Sequence, residues 1–150
     1  MNGTLKIIGS HDHGDGKPEI IKQEFTAYCE REGTTYIITY AEASSIESVA
    51  DPSDKAPTST THRLEIGEGF LRMAQTGAVT SDLHFSLAET WNTDYNTPYG
   101  LMKMTAITRS LMIEENPKKI TAHVQYELQM NGDKLSDSKV RISFVPNSNM

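Results

Sequence analysis

Along most of this chain apolar and polar positions alternate with a period of two. From Glu19 to Arg31, Ile21, Phe25, Ala27 and Cys29 share one parity with Gln23, and Lys22, Glu24, Thr26 and Tyr28 share the other. That period predicts a strand with one wet face. Thr34 to Tyr40 is β-branched and aromatic and predicts another strand. Further strands are expected at Thr4–Gly9, Ser59–Ile66, Gly69–Gln75 and Val79–Leu87, and at Leu101–Ile113, Ile120–Met130 and Leu135–Val145. In the sixth, Ser81, Leu83 and Phe85 share a parity, with Asp82, His84 and Ser86 opposite. In the seventh, Met102, Met104, Ala106 and Thr108 face one way, and Lys103, Thr105, Ile107 and Arg109 the other. In the eighth, Ala122, Val124, Tyr126, Leu128 and Met130 oppose His123, Gln125, Glu127 and Gln129. In the last, Val140, Ile142 and Phe144 point inward.

Turn signals separate these runs. Glu32-Gly33, Gly67-Glu68-Gly69, Thr76-Gly77 and Asn116-Pro117 each end one, and Asn131-Gly132 is a strong two-residue hairpin signal because both positions accept positive φ. The stretch Tyr95-Asn96-Thr97-Pro98-Tyr99-Gly100 divides short strands from long ones. Its proline fixes φ and holds Thr97 extended, and its glycine tolerates a bend. Ala43 to Thr58, rich in Ser, Asp and Pro, is expected to be a long loop, with a short helix near Ser45–Val49. The tail from Pro146 to Met150 is expected to fray.

Some nine strands with short connections make an antiparallel meander. So many strands pack as a sandwich or close as a barrel, since an open sheet leaves reactive edges. The long strands after Gly100 favour an all-β, up-and-down barrel of about eight or nine strands, in one domain covering residues 1–150.

Composition narrows the class. A chain of 150 residues is long enough to bury a core without disulfides or metals. Its net charge of −6 disfavours a nucleic-acid partner. A single cysteine, Cys29, falls on an apolar parity and reads as a buried small hydrophobe in a reducing cytoplasm. No apolar run approaches a membrane span or a signal-peptide core, so a cytoplasmic protein without a membrane partner is expected. His11 and His13 flank Asp12 in a turn-rich segment, but two histidines are too few for most metal sites, and a solvated hairpin loop is expected there.

The ordered set Arg72 before Gly77, Ser81-x-Leu83-x-Phe85, Tyr95-x-Thr97-Pro98-Tyr99-Gly100 with Thr108 beyond it, and Tyr126-x-Leu128 before Asn131-Gly132 resembles the YwiB-like family of small bacterial proteins. The likeness runs from about Ile20 to Phe144. The Ala43–Thr58 loop and the His11-x-His13 turn depart from it. The resemblance implies a calycin-like barrel, similar in shape to lipocalins and fatty-acid-binding proteins. It implies no activity, since the family's domain is one of unknown function.

Two functional expectations follow. The first is a barrel that binds a small anionic or apolar ligand inside, with Arg72, Ser81, His84, Tyr95, Tyr99, Thr108 and Tyr126 as polar groups and Met102 and Met104 as an adaptable wall. Arg72 would grip a carboxylate or phosphate, unless it forms a structural ion pair. The second is a filled barrel, monomer or homodimer, that works through its surface. An enzyme is not expected. Ser81 and His84 lie three apart on a strand and face opposite ways, and no nucleophile elbow, zinc pattern or phosphate loop occurs. No cofactor is implied.

Overall fold

The computed structural model describes residues 1–43, 59–77, 80–97 and 100–147. Ten strands run through them: β1 (Asn2–Asp12), β2 (Glu19–Glu32), β3 (Thr35–Ala43), β4 (Ser59–Gly67), β5 (Phe70–Thr76), β6 (Ser81–Phe85), β7 (Trp91–Thr97), β8 (Gly100–Asn116), β9 (Lys119–Met130) and β10 (Asp133–Pro146). They form one sheet in the order β6-β5-β4-β3-β2-β1-β10-β9-β8-β7. Every pairing is antiparallel.

The sheet curls until β6 and β7 face each other, which nearly closes a barrel. Side chains hold this seam. Trp91 Nε1 donates to the Asp82 carbonyl at 2.9 Å, and the Ser86 amide donates to Thr108 Oγ1 at 3.1 Å. Both bonds occupy backbone groups that an open edge would offer to another chain. The expected all-β barrel is therefore present, with ten strands. The strand that sequence did not count is β7. Its run Trp91-Asn92-Thr93-Asp94 is mostly polar and shows no apolar alternation.

Turn chemistry sets the hairpins. Asn131 and Gly132 both have positive φ, 52° and 88°, which matches the twist of β9 and β10. Gly100 opens β8 at φ 126°, a conformation closed to most side chains. Pro98 and Tyr99 lie outside the described residues, as does the segment 44–58 with its expected helix at Ser45–Val49. At the tail, β10 extends through Pro146, and the Asn147 amide donates to the Asn2 carbonyl at 2.9 Å. The expected fraying of Pro146 is thus corrected, and residues 148–150 are outside the described set.

Paired residues on antiparallel strands share a face, so register defines the interior. Phe144 stands opposite Leu5, and Ile142 opposite Ile7. Leu64 stands opposite Ile38, and Phe85 opposite Leu71. Leu5, Ile38, Leu64, Leu71, Phe85, Ile142 and Phe144 are buried and fill the middle of the barrel. Each contributes roughly 1.5–3 kcal/mol through burial. Cys29 joins them as a buried free thiol, and burial pushes its titration up.

Two details differ from the expected pattern. His11 belongs to β1 and does not sit in a solvated loop; it pairs with Ser138 and Glu19, and its Nδ1 lies 2.7 Å from Ser138 Oγ. In β8 the register shifts between Thr108 and Ser110. This bulge reverses the parity, so that Leu111, Ile113 and Glu115 continue the inward row after Met104, Ala106 and Thr108.

Candidate functional site

One end of the barrel carries the β2–β3, β4–β5, β6–β7 and β8–β9 connections. There Tyr36 from β3 and Glu115 from β8 meet across the lumen, and the phenol donates a hydrogen bond to the carboxylate Oε1. In the sheet order β2, β1, β10 and β9 separate the two strands one way, and β4, β5, β6 and β7 the other. The bond is therefore a crossbar between opposite walls. It holds the Tyr36 phenol above its ordinary range, burial adds to this, and the guanidinium of Arg31 opposes it. Arg31 stands opposite Tyr36 on β2, with Cζ 5.4 Å from the ring centroid. Its Nε donates to the Gly33 carbonyl at 2.9 Å.

The crossbar separates two recesses. The larger has a volume of about 670 Å³. Its apolar surface comes from Ile66, Leu87, Leu111 and Ile113, and Arg31, Glu68 and Glu115 stand among its polar residues. The smaller, about 410 Å³, lies toward Ile120, Pro146 and Met1 and shares Arg31, Tyr36 and Glu115 with the first. Beneath them the barrel is packed. Phe85 and Tyr126 pack at a tilt of 45°, with centroids 4.5 Å apart.

At the opposite end the space directly over the core is smaller. A cavity of about 170 Å³ lies among Gln23, His62, Gln75 and Ser81, over Ile7 and Leu64. Phe25, Tyr40 and His62 form a stack beside it, with successive centroids 4.5 Å apart. Gln75 Nε2 donates to Ser81 Oγ at 2.9 Å.

The residues expected from sequence to line one site are not gathered into one. Arg72 points away from the lumen. It pairs with both oxygens of Asp82, at 2.9 and 2.6 Å, and with Glu65 at 2.8 Å, and these carboxylates raise its pKa. This is the structural ion pair, and it leaves Arg72 no reach into the barrel. His84 also lies on the outer wall, between the rings of Phe70 and Trp91 at 5.4 and 5.1 Å. Ser81 faces the small cavity, so Ser81 and His84 occupy opposite faces of β6. Met104 borders a largely polar hollow of about 620 Å³ between β7 and β8. Met102 stands opposite Tyr95 at the far end of the same strand pair. Thr108 is spent on the seam. Tyr126 is buried, and burial raises its phenol above the ordinary range while a hydrogen bond with Ser138 opposes this. Tyr99 lies outside the described residues.

His11 and Ser138 have the separation of a base and a nucleophile. Ser138 is only 2% exposed, however, and its hydroxyl also meets Ser136 Oγ at 2.9 Å. The pair satisfies buried polar groups. Among the described residues no three His, Cys, Asp or Glu side chains converge on a possible metal position.

Arg31, Tyr36, Leu111, Ile113 and Glu115 went unnoticed in the sequence. Tyr36 carried the right inward parity within a predicted strand. Leu111, Ile113 and Glu115 were hidden because the bulge after Thr108 reverses the alternation.

A model of a domain of unknown function, DUF1934, matches residues 5–142. The chain belongs to this family. The crystal structure of the ywiB protein from Bacillus subtilis superposes with a TM-score of 0.79 at 16% identity, covering 98% of this chain and 92% of that one. At that identity the likeness concerns the fold. A search among curated proteins found no match. Among the described residues no helix is long and apolar enough to cross a membrane.

Proposed function

We propose that this barrel binds a small molecule with an apolar body in the recess beside the Tyr36–Glu115 crossbar, and that it performs no reaction on that molecule. One observation carries the reading. The recess measures about 670 Å³ and combines Ile66, Leu87, Leu111 and Ile113 with a few charged groups. Small-molecule sites commonly span ~300–1,000 Å³ and are mostly apolar, with few polar anchors. The role is lipocalin-like in placing a ligand within a barrel, but here the ligand sits at one end, because the middle is packed. The net charge of −6 argues against a nucleic-acid partner.

Native mass spectrometry on gently purified protein tests this. A co-purified small molecule is expected, retained in Arg72→Ala and lost in Leu87→Arg, which places a charge at the exposed lip of the recess. An apo mass, together with no retention of added apolar probes, would count against the reading. It would favour a second one, a barrel acting through protein contacts or self-association. That alternative draws on the filled middle and on Ile8, Met112 and Val145, which are exposed on the outer wall.

A further inference from the structure

The charged groups around the recess are not equivalent. Glu115 already accepts the Tyr36 hydroxyl. Arg31 is fixed at its base, by Nε on the Gly33 carbonyl, and along its plane, by the Tyr36 ring. Among the described residues its two terminal nitrogens have no partner and no carboxylate lies within ion-pair reach. The other arginines next to carboxylates are committed: Arg72 to Glu65 and Asp82, Arg63 to Glu65, and Arg109 to Glu127. Arg31 is thus an anchored guanidinium with an open fork, beside an apolar recess. An anchored fork matches the two oxygens of a carboxylate and loses little freedom on binding it.

Resting on the proposed binding role, we infer that the ligand carries a carboxylate, held by the terminal nitrogens of Arg31, with its apolar body against Leu111 and Ile113. Glu68 on the β4–β5 turn also borders the recess, has no ion-pair partner among the described residues, and opposes this head group. An amine of the same shape would go to Glu68 and Glu115 instead, which makes the amine the informative rival.

Isothermal titration with octanoate, octylamine and octanol decides between them, each below its aggregation threshold. Octanoate is expected to bind about tenfold more tightly than octanol, the scale of a hydrogen-bonded charge pair. Arg31→Gln should erase that preference. Arg31→Lys, which keeps charge without the fork, should retain part of it. Arg141→Gln, a substitution on the outer wall, should leave it intact. The assignment is overturned if octanol matches octanoate, if octylamine binds best, or if the preference survives Arg31→Gln. In those cases the recess remains a binding site. If none of the three binds, the binding role itself fails.

Discussion

The middle of the barrel and its turn-bearing end are built from the same alternating strands, yet they do opposite things with their inward residues. In the middle, Phe85, Leu71, Ile142 and Phe144 meet across the lumen and exclude everything else. At the end, inward positions fall to Tyr36 and Glu115, which bridge the lumen through polar atoms, and to Arg31 beside Tyr36, and space is left on both sides of the bridge. Apolar side chains gain by closing on one another. A hydrogen-bonded crossbar is satisfied at a fixed span and stops the walls from collapsing. Strand period makes a barrel, and residue type along its inner rows decides where the barrel is full.

The sharpest way to break this comparison is to empty the middle. Phe85→Ala should cost about 3–5 kcal/mol in urea unfolding, because Phe85 is fully buried against Tyr126. A cost below about 1 kcal/mol would mean that the middle is not packed as described. Arg72→Ala should cost about 1–2 kcal/mol, since its pairing is bidentate but its side chain is 40% exposed. Ligand retention should not change, whereas a loss of retention would return Arg72 to the site. Tyr36→Phe removes only the crossbar bond and should cost about 1 kcal/mol. It should also alter ligand affinity, because it merges the two recesses, and an unchanged affinity would show that the crossbar does not shape the site.

Much of this was legible in the sequence and some was not, for identifiable reasons. The inward rows of β6, β9 and β10 followed from period two, because each strand has one packed face; in β2 that face is packed only from Phe25 to Cys29, and Ile21 on the same parity is exposed. The parity of β8 was readable only as far as Thr108. An unpaired residue there turns Leu111, Ile113 and Glu115 inward, and nothing in Thr108-Arg109-Ser110 marks a bulge. Arg72 looked like an anion anchor because its partners come from two other strands, Glu65 of β4 and Asp82 of β6. Cross-strand pairing depends on register, which a linear pattern does not contain. The glycine-rich neighbours of His11 suggest a loop, while its partner Ser138 lies 127 positions away.

A smaller effect probes the packed side of the comparison. Burial lowers the pKa of His11, with His13 acting in the same direction and Glu19 against it. The unfolded chain therefore binds the proton first, near pH ~6.5. The stabilisation that neutral His11 supplies is complete above that pH and declines as pH falls from there through the lower folded value. Urea midpoints at pH 7.5 and 5.5 should fall further in the wild type than in His11→Gln, which keeps a hydrogen-bonding group toward Ser138. Equal falls would remove His11 from the acid response.

The account rests most heavily on where a ligand sits, and an amide NMR titration with octanoate observes that directly. Shifts should concentrate at residues 31–36, 66–69, 86–88 and 111–115, and leave Gln23, His62 and Gln75 at the opposite end still. Shifts centred on those three, or spread along the outer wall, would contradict it.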